Sequence, residues 1–262
     1  MLEMNIHFIG TCAGTEPMPG RKHASIVLES QEHLYWFDAG EGCSYTGHLM
    51  GLDLLKTCKI VISHTHMDHV GGLGNLLWNI RKLTFARKQP HAYGRVDVHI
   101  PNMETWQGLM MLLKNTEGNF ETDFALTGMQ VNDGLVFDDG IMKVTAYSNS
   151  HMDRQSPDWR QAFSYEIECE GKRIIYSGDL GKLEELDPLL NTGRPNDALM
   201  IETGHYHMDR VYEYLKEKEI GQIFFCHHGK KIMSDPKAAQ DRANELFDKR
   251  AVITEDGMTI EW

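Results

Sequence analysis

The chain has 262 residues, of which 41% are hydrophobic and 24% charged, and its formal net charge is −12. That length can bury a sizeable core as one large domain or two small ones. So acidic a balance disfavours non-specific binding to nucleic acid, whose phosphates call for Lys and Arg.

In chain order, MNIHFIG reads as a strand ending at Gly10, followed by the polar, Gly- and Pro-containing loop TCAGTEPMPGRK. HASIVLE and LYWFDAG read as two strands around a turn at SQEH. SYTGHLMGLDLLKT has near-helical apolar spacing and reads as one helix, CKIVIS as a buried strand, and LGNLLWNIRKLTFAR as the next helix. VDVHI is a strand and METWQGLMMLLKN a helix; the segment from 101 to 135 is expected to supply pocket walls, with Trp106, Phe120 and Phe124 stacking on a base or, the plainer reading, packing a lid. GLVFDDGIMKVTAYSNSH holds two strands around DDG, and AFSYEIECEGKRIIYSGD is a hairpin with CEGK as its turn. DALMIETG and IGQIFFCHH are further strands, and VYEYLKEK and PKAAQDRANELFDKRA are amphipathic helices, the second with Pro at its first turn. VITEDGMTIEW reads as a closing hairpin. Two strand-rich halves with outer helices imply a sheet-on-sheet core covered by helices on both sides. Five scattered cysteines (Cys12, Cys43, Cys58, Cys169, Cys226) without a CxxC pair read as reduced thiols of a cytoplasmic protein. No signal peptide is expected from MLEMNIHFIG, and no apolar run reaches the roughly 18 to 20 residues of a membrane span.

The chemistry concentrates in VISHTHMDHVGG, where His64, His66, Asp68 and His69 fall within six positions after an apolar run. Imidazoles two apart on extended chain point the same way, so His64 and His66 can share one metal. Asp68 and His69 lie where the chain must turn and can face a second, and Gly71, Gly72 and Gly74 let the backbone enter the following helix. Further donors stand at the ends of strand-like runs: His151 after VTAYSNS, Asp179 after RIIYSG and His227 after IGQIFFC. Taken singly each has a plain reading as a cap or an exposed side chain. His228 competes with His227 for the last ligand position.

The run H-x-H-x-D-H, an isolated His, an Asp and a late His resemble the metallo-β-lactamase fold superfamily, and more narrowly its ribonuclease Z-like branch. FIGTCAGTEPMPGRKHASIVLE, YWFDAGEG and IIYSGDL are similar to that branch's opening strand and loop, its FDxGEG segment and its YSGDT segment. The resemblance implies a four-layer αββα sandwich of metallo-β-lactamase type forming a single hydrolase domain over 1–262. It implies a first metal on His64, His66 and His151, a second on Asp68, His69 and His227, and Asp179 bridging them. Two divalent ions are expected, zinc by the donor types, with manganese or iron also able to fit. Flavodiiron relatives carry Glu at the second His position; His66 here favours hydrolysis.

Two metals about 3.5 to 4 Å apart suit in-line displacement at a phosphodiester. Asp68 can also orient the nucleophile, and His205, with Glu202 as its orienter, can protonate the leaving group; a loop histidine is the plainer reading. His207 is a weaker candidate. Asp38 in YWFDAGEG reads as a hydrogen-bonding support for a ligand histidine or as a turn residue, and Lys230 and Lys231 as a phosphate contact or a solvated pair. The expected activity is hydrolysis of a small phosphodiester or cyclic nucleotide. Ribonuclease Z-type tRNA 3′ endonuclease action is an alternative, but a hairpin fills most of the segment between His151 and Asp179, where that enzyme carries its tRNA-binding arm. Thioester or lactone hydrolysis is the other, although the residues after His227 leave little room for the helical extension of the glyoxalase II type. No membrane partner is expected, and a homodimer is possible by resemblance.

Overall fold

The computed structural model describes residues 4–15, 18–152 and 161–262. The elements run β1 (Met4–Gly10), β2 (Ser25–Ser30), β3 (His33–Phe37), α1 (Cys43–Leu49), β4 (Thr57–Val61), α2 (Met67–Val70), α3 (Leu73–Arg87), β5 (Arg95–Ile100), α4 (Met103–Lys114), β6 (Ala125–Gln130) and β7 (Gly134–Asp138). They continue with β8 (Met142–Asn149), β9 (Ala162–Cys169), β10 (Lys172–Tyr176), α5 (Asp187–Leu190), β11 (Ala198–Thr203), α6 (Met208–Leu215), β12 (Gln222–His228), α7 (Lys230–Ser234), α8 (Pro236–Phe247), β13 (Ala251–Ile253) and β14 (Met258–Glu261). The chain divides into two compact units, one from the described residues of Met1–Gly10, Lys22–Val131 and Asp256–Trp262, the other from those of Thr11–Arg21 and Asn132–Glu255.

The first unit is built on a seven-stranded sheet of order β14-β1-β2-β3-β4-β5-β6. Its pairs are antiparallel from β14 to β3 and parallel from β3 to β6. One sheet face meets helices: Val27, Trp36, Ile60, Ile62, Val96 and Val98 pack with Leu73, Leu76, Leu77 and Ile80 of α3 and with Trp106 and Leu113 of α4. Each such side chain contributes on the order of 1.5–3 kcal/mol by leaving water. Trp36 is fully buried, and its indole N–H donates to Thr57 Oγ1 at 3.1 Å, so the ring is buried without an unmet polar group. Trp106, Phe120 and Phe124 belong to this core, as the sequence suggests for packing residues.

The second unit repeats the scheme. Its sheet runs β13-β12-β11-β10-β9-β8-β7, antiparallel from β7 to β10 and parallel from β10 to β13. Ile175, Leu199, Ile201, Ile223 and Phe225 pack against Leu183, Leu186, Val211, Leu215 and Phe247. The β9–β10 hairpin turns at Glu170 and Gly171, both at positive φ (50° and 74°), the left-handed pair that a two-residue hairpin turn requires. In each unit the chain leaves the parallel strands at their C-terminal ends, where open α/β sheets place ligands.

Three expectations give way. The helix read over SYTGHLMGLDLLKT stops at Leu49, because Gly51 adopts φ 88° and Asp53 then caps a separate 3-10 turn at Leu54–Lys56, its carboxylate accepting from Leu55 N at 3.4 Å. The closing segment is no hairpin: β13 pairs with β12 in parallel, while β14 pairs with β1 antiparallel. Long-range pairing outcompetes the local turn. β6 has no counterpart in the sequence reading; it is an edge strand of mixed exposure. Each unit is a mixed sheet with helices packed on it, the two halves expected of an αββα sandwich. No disulfide joins the five cysteines, all of them buried. No described helix is long and apolar enough to cross a membrane.

His99 at the end of β5 is 3% exposed, and burial, reinforced by the Lys59 charge, lowers its pKa to about 4 from 6.5. The unfolded chain therefore binds the extra proton first. Stability from this group is complete above pH 6.5 and is lost as the pH falls towards 4. Thermal melts of metal-stripped protein should show Tm falling across that window, and His99→Gln should flatten the slope. An unchanged slope would show that another group governs it.

Candidate metal centre

In the first unit the site grows from the ends of β3 and β4. Asp38 follows β3 with φ 62°, an uncommon value for a non-glycine residue that costs about 1–3 kcal/mol and persists only where the surroundings enforce it. They do. Its fully buried carboxylate accepts from Ser63 N at 2.6 Å and from Ser63 Oγ at 2.8 Å, and lies 2.7 Å from His69 Nδ1. With Nδ1 held by Asp38, His69 has its Nε2 on the other side of the ring, 3.4 Å from Asp68 Oδ2. His64, also fully buried, has Nδ1 3.1 Å from Ser63 Oγ and Nε2 2.9 Å from His66 Nδ1. Extended backbone at His66 (φ −67°, ψ 150°) leads into α2, which carries Asp68 in its first turn and His69 in its last.

Two glycines make this loop possible. A Cβ at Gly72 would lie 2.1 Å from the Gly40 carbonyl oxygen, and one at Gly40 would lie 2.4 Å from that of Asp68. Backbone passes backbone here, so no side chain fits. Gly71 has helical φ (−64°), but a Cβ there would lie 2.4 Å from the Met67 carbonyl oxygen, a third close approach, whereas Gly74 lies within α3 and faces only the Leu109 side chain.

In the second unit the donors stand just after β8 and β10, at and just after the end of β11, and at the end of β12. Asp179, 2% exposed, has Oδ1 3.4 Å from His227 Nδ1 and Oδ2 3.6 Å from His151 Nε2 and 3.7 Å from His205 Nδ1. Glu202 ends β11 in nearly complete burial, its Oε1 accepting from Leu180 N at 2.7 Å and its Oε2 from His205 N at 3.0 Å and His205 Nδ1 at 2.8 Å. Burial and the Asp179 charge push the Glu202 carboxyl up; the hydrogen bond from His205 and the nearness of His227 outweigh them and hold it below the usual carboxylate range. In return the Glu202 hydrogen bond raises the His205 pKa against the effect of burial. Donor atoms of Asp179, Glu202, His205 and His227 all lie within 4.8 Å of one another.

His227 and His228 differ in what holds them. His228 places Nδ1 2.9 Å from Thr203 Oγ1 and Nε2 2.9 Å from the Thr254 carbonyl, and burial lowers its pKa to about 3, so it is a neutral ring tied at both nitrogens. His227 has φ 50° and turns its Nδ1 towards Asp179 and Glu202. A Cβ on Gly204 would come 2.7 Å from that nitrogen, so the glycine clears its space.

The donors in each unit are imidazole nitrogens and carboxylate oxygens, a set that suits zinc and equally manganese or iron. Their non-hydrogen-bond spacings, 3.4 to 3.7 Å around Asp179, are those of groups able to flank a shared cation. The residues present therefore fit divalent metal. Ser63 is the functional residue that the sequence does not reveal, since a serine before a histidine has no signature; only the folded β4 end brings it to Asp38.

Asp38→Ala should weaken metal binding by about 10- to 100-fold, the usual effect of removing the partner that orients a ligand histidine. Competition with a coloured chelator measures it. Wild-type affinity in a folded variant would remove Asp38 from the metal site.

Comparison with known proteins gives the family. The family model described as Anti-Pycsar protein Apyc1 matches residues 4–252. Ribonuclease BN of Escherichia coli O7:K1 is 31% identical over 210 residues, 77% of this chain and 62% of that one. The chain spans 28% to 62% of the length of the first curated relatives it matches, which include a ribonuclease Z of Methanothermobacter thermautotrophicus. Among solved structures, the metallo-β-lactamase fold protein YhfI of Bacillus subtilis superposes with TM-score 0.74 at 16% identity, covering 99% of this chain and 100% of that one. A diphosphatase of the PhnP family does so with TM-score 0.67 at 18% identity, covering 100% and 98%. The fold is thus the metallo-β-lactamase fold, the curated relatives are named ribonuclease Z and ribonuclease BN, and the chain belongs to the Anti-Pycsar protein Apyc1 family.

Proposed function

We propose that the protein is a dinuclear metal-dependent phosphodiesterase acting on a small phosphodiester or cyclic nucleotide. In this reading both units serve one hydrolase domain. His64, His66 and His151 would hold one divalent ion and Asp68, His69 and His227 a second, with Asp179 serving both, and zinc is the first expectation. The observation that carries the reading is the pair of buried carboxylates, Asp38 and Glu202, each fixing a histidine by its Nδ1 and leaving its Nε2 for chemistry. Structural histidines need no such aiming; ligands and proton donors do. That relatives include proteins named ribonuclease Z, ribonuclease BN and a diphosphatase favours a phosphate ester over a thioester or lactone. The described residues between His151 and Asp179 are largely taken up by the β9–β10 hairpin, which favours a small substrate over tRNA.

Bound metal there supplies Lewis acidity and a nucleophile at neutral pH. The chain's own part is orientation and proton supply. Asp68 beside His69 aligns the attacking water, and Asp38 keeps the His69 ring from rotating. His205 holds a proton for the leaving alkoxide: its Nδ1 is bound to Glu202, which keeps the ring protonated to higher pH than a free imidazole. Buried thiols without disulfides accord with a reducing cytoplasm.

Metal-loaded protein should hydrolyse bis(p-nitrophenyl) phosphate, and Asp179→Ala should abolish turnover. On a cyclic nucleotide, whose leaving alkoxide needs a proton, His205→Ala should lower kcat by about 10²- to 10⁴-fold, the range for a general acid, while two metals remain bound and p-nitrophenolate release changes little. Loss of a metal in that variant would make His205 a ligand instead. Absence of turnover with two metals bound would defeat the phosphodiesterase reading and turn attention to thioesters and lactones.

A further inference from the structure

The second unit carries a chain of charged groups that the roles above leave unused. His207 Nε2 lies 2.7 Å from Lys231 Nζ, and His207 Nδ1 lies 3.2 Å from Asp209 Oδ2. Ammonium is donor only, so Lys231 donates to His207 Nε2; that nitrogen must then be unprotonated, and the ring proton sits on Nδ1, facing Asp209. The carboxylate fixes the tautomer, and the tautomer fixes the lysine.

This pairing is built by the same loops that carry the site. His207 follows His205 in the turn after β11, and Lys231 lies in the first turn of α7, four residues beyond His227 at the end of β12. The two turns run against each other at glycines: a Cβ on Gly229 would lie 3.5 Å from the Gly204 carbonyl oxygen and 3.7 Å from its Cα. Side chains just beyond that crossing meet, and they remain open to solvent, His207 at 58% exposure. The pair lies just along the chain from His205 and His227, whose rings stack 5.5 Å apart, and in a chain of net charge −12 a cation there offsets the repulsion an anionic substrate would meet.

We propose that Lys231 is a substrate-binding residue that takes a non-bridging phosphate oxygen of the phosphodiester, and that His207 is its positioning residue. The inference rests on the phosphodiesterase reading and adds to it the group that holds the anion. No bond is made or broken at Lys231; it supplies a charge-assisted hydrogen bond, so its loss should appear in binding.

The test is steady-state kinetics on bis(p-nitrophenyl) phosphate, competitive inhibition by inorganic phosphate, and metal content, for Lys231→Ala, Lys231→Arg, His207→Ala and the remote surface control Lys237→Ala, whose partner is Asp241. Lys231→Ala should raise KM and the phosphate inhibition constant by about 10- to 100-fold, the loss of one hydrogen bond to a charged group, with kcat nearly unchanged and two metals retained. Lys231→Arg should recover most of the loss, His207→Ala should show a smaller rise of the same kind, and Lys237→Ala should match wild type. Wild-type KM and phosphate inhibition in Lys231→Ala would overturn the assignment and leave the phosphodiesterase reading intact. A lost metal would recast Lys231 as structural and overturn it as well. Wild-type protein with two metals and no phosphodiester turnover would instead remove the broader reading, and this one with it.

Discussion

A carboxylate out of reach of water has to be matched by donors inside the protein, and Asp38 is matched by a backbone N–H, a hydroxyl and an imidazole. That one requirement ties β3, the end of β4 and α2 together. It explains the left-handed backbone at Asp38, because a relaxed φ would swing the carboxylate away from all three partners. It also explains why the next layer of the loop is glycine: once His69 is drawn onto Asp38, the chain passes Gly40 and Gly72 too closely for a Cβ. The crowded histidines thus depend on a residue that is not itself a donor to metal in this arrangement. Glu202 plays the matching part in the second unit, where it anchors the His205 backbone and ring together.

Much of this is legible in the residues alone. Four donor residues in six positions announce His64, His66, Asp68 and His69, because no core or surface role gathers them so densely. His151, Asp179 and His227 are readable only as strand-end residues and only in concert. Ser63 is invisible, since its hydroxyl matters through a fold-level approach to Asp38. The choice between His227 and His228 turns on Thr203 and Thr254, two partners that no local pattern connects to them.

The fold shows the same division. Strands with unbroken apolar character and the long helices α3 and α8 follow from periodicity. β6 does not: ALTGMQ lacks alternation, and Gly128 is there to admit Trp106, whose indole nitrogen would stand 2.2 Å from a Cβ at that position. TEDG looks like a hairpin turn, yet Thr254 N and Oγ1 both donate to the Phe225 carbonyl while Gly257 N donates to that of Phe8. Each flank is claimed by a strand far away in sequence, and local propensity yields to those pairings.

The β1–β14 pairing has a temporal side. Asn5 through Phe8 align with Glu261 back to Met258, and Met4 and Trp262 exchange backbone hydrogen bonds at 3.0 and 2.8 Å. On a ribosome β1 emerges before the second unit, while its outer partner is made only after all of it. For most of synthesis the nascent first unit offers one long edge with open N–H and C=O groups, the kind of edge that recruits foreign strands. The second unit, by contrast, draws nearly all its strands from one continuous stretch and can close as soon as β13 appears. Nascent-chain quality control should therefore weigh most heavily on the half of the molecule that is translated first and completed last.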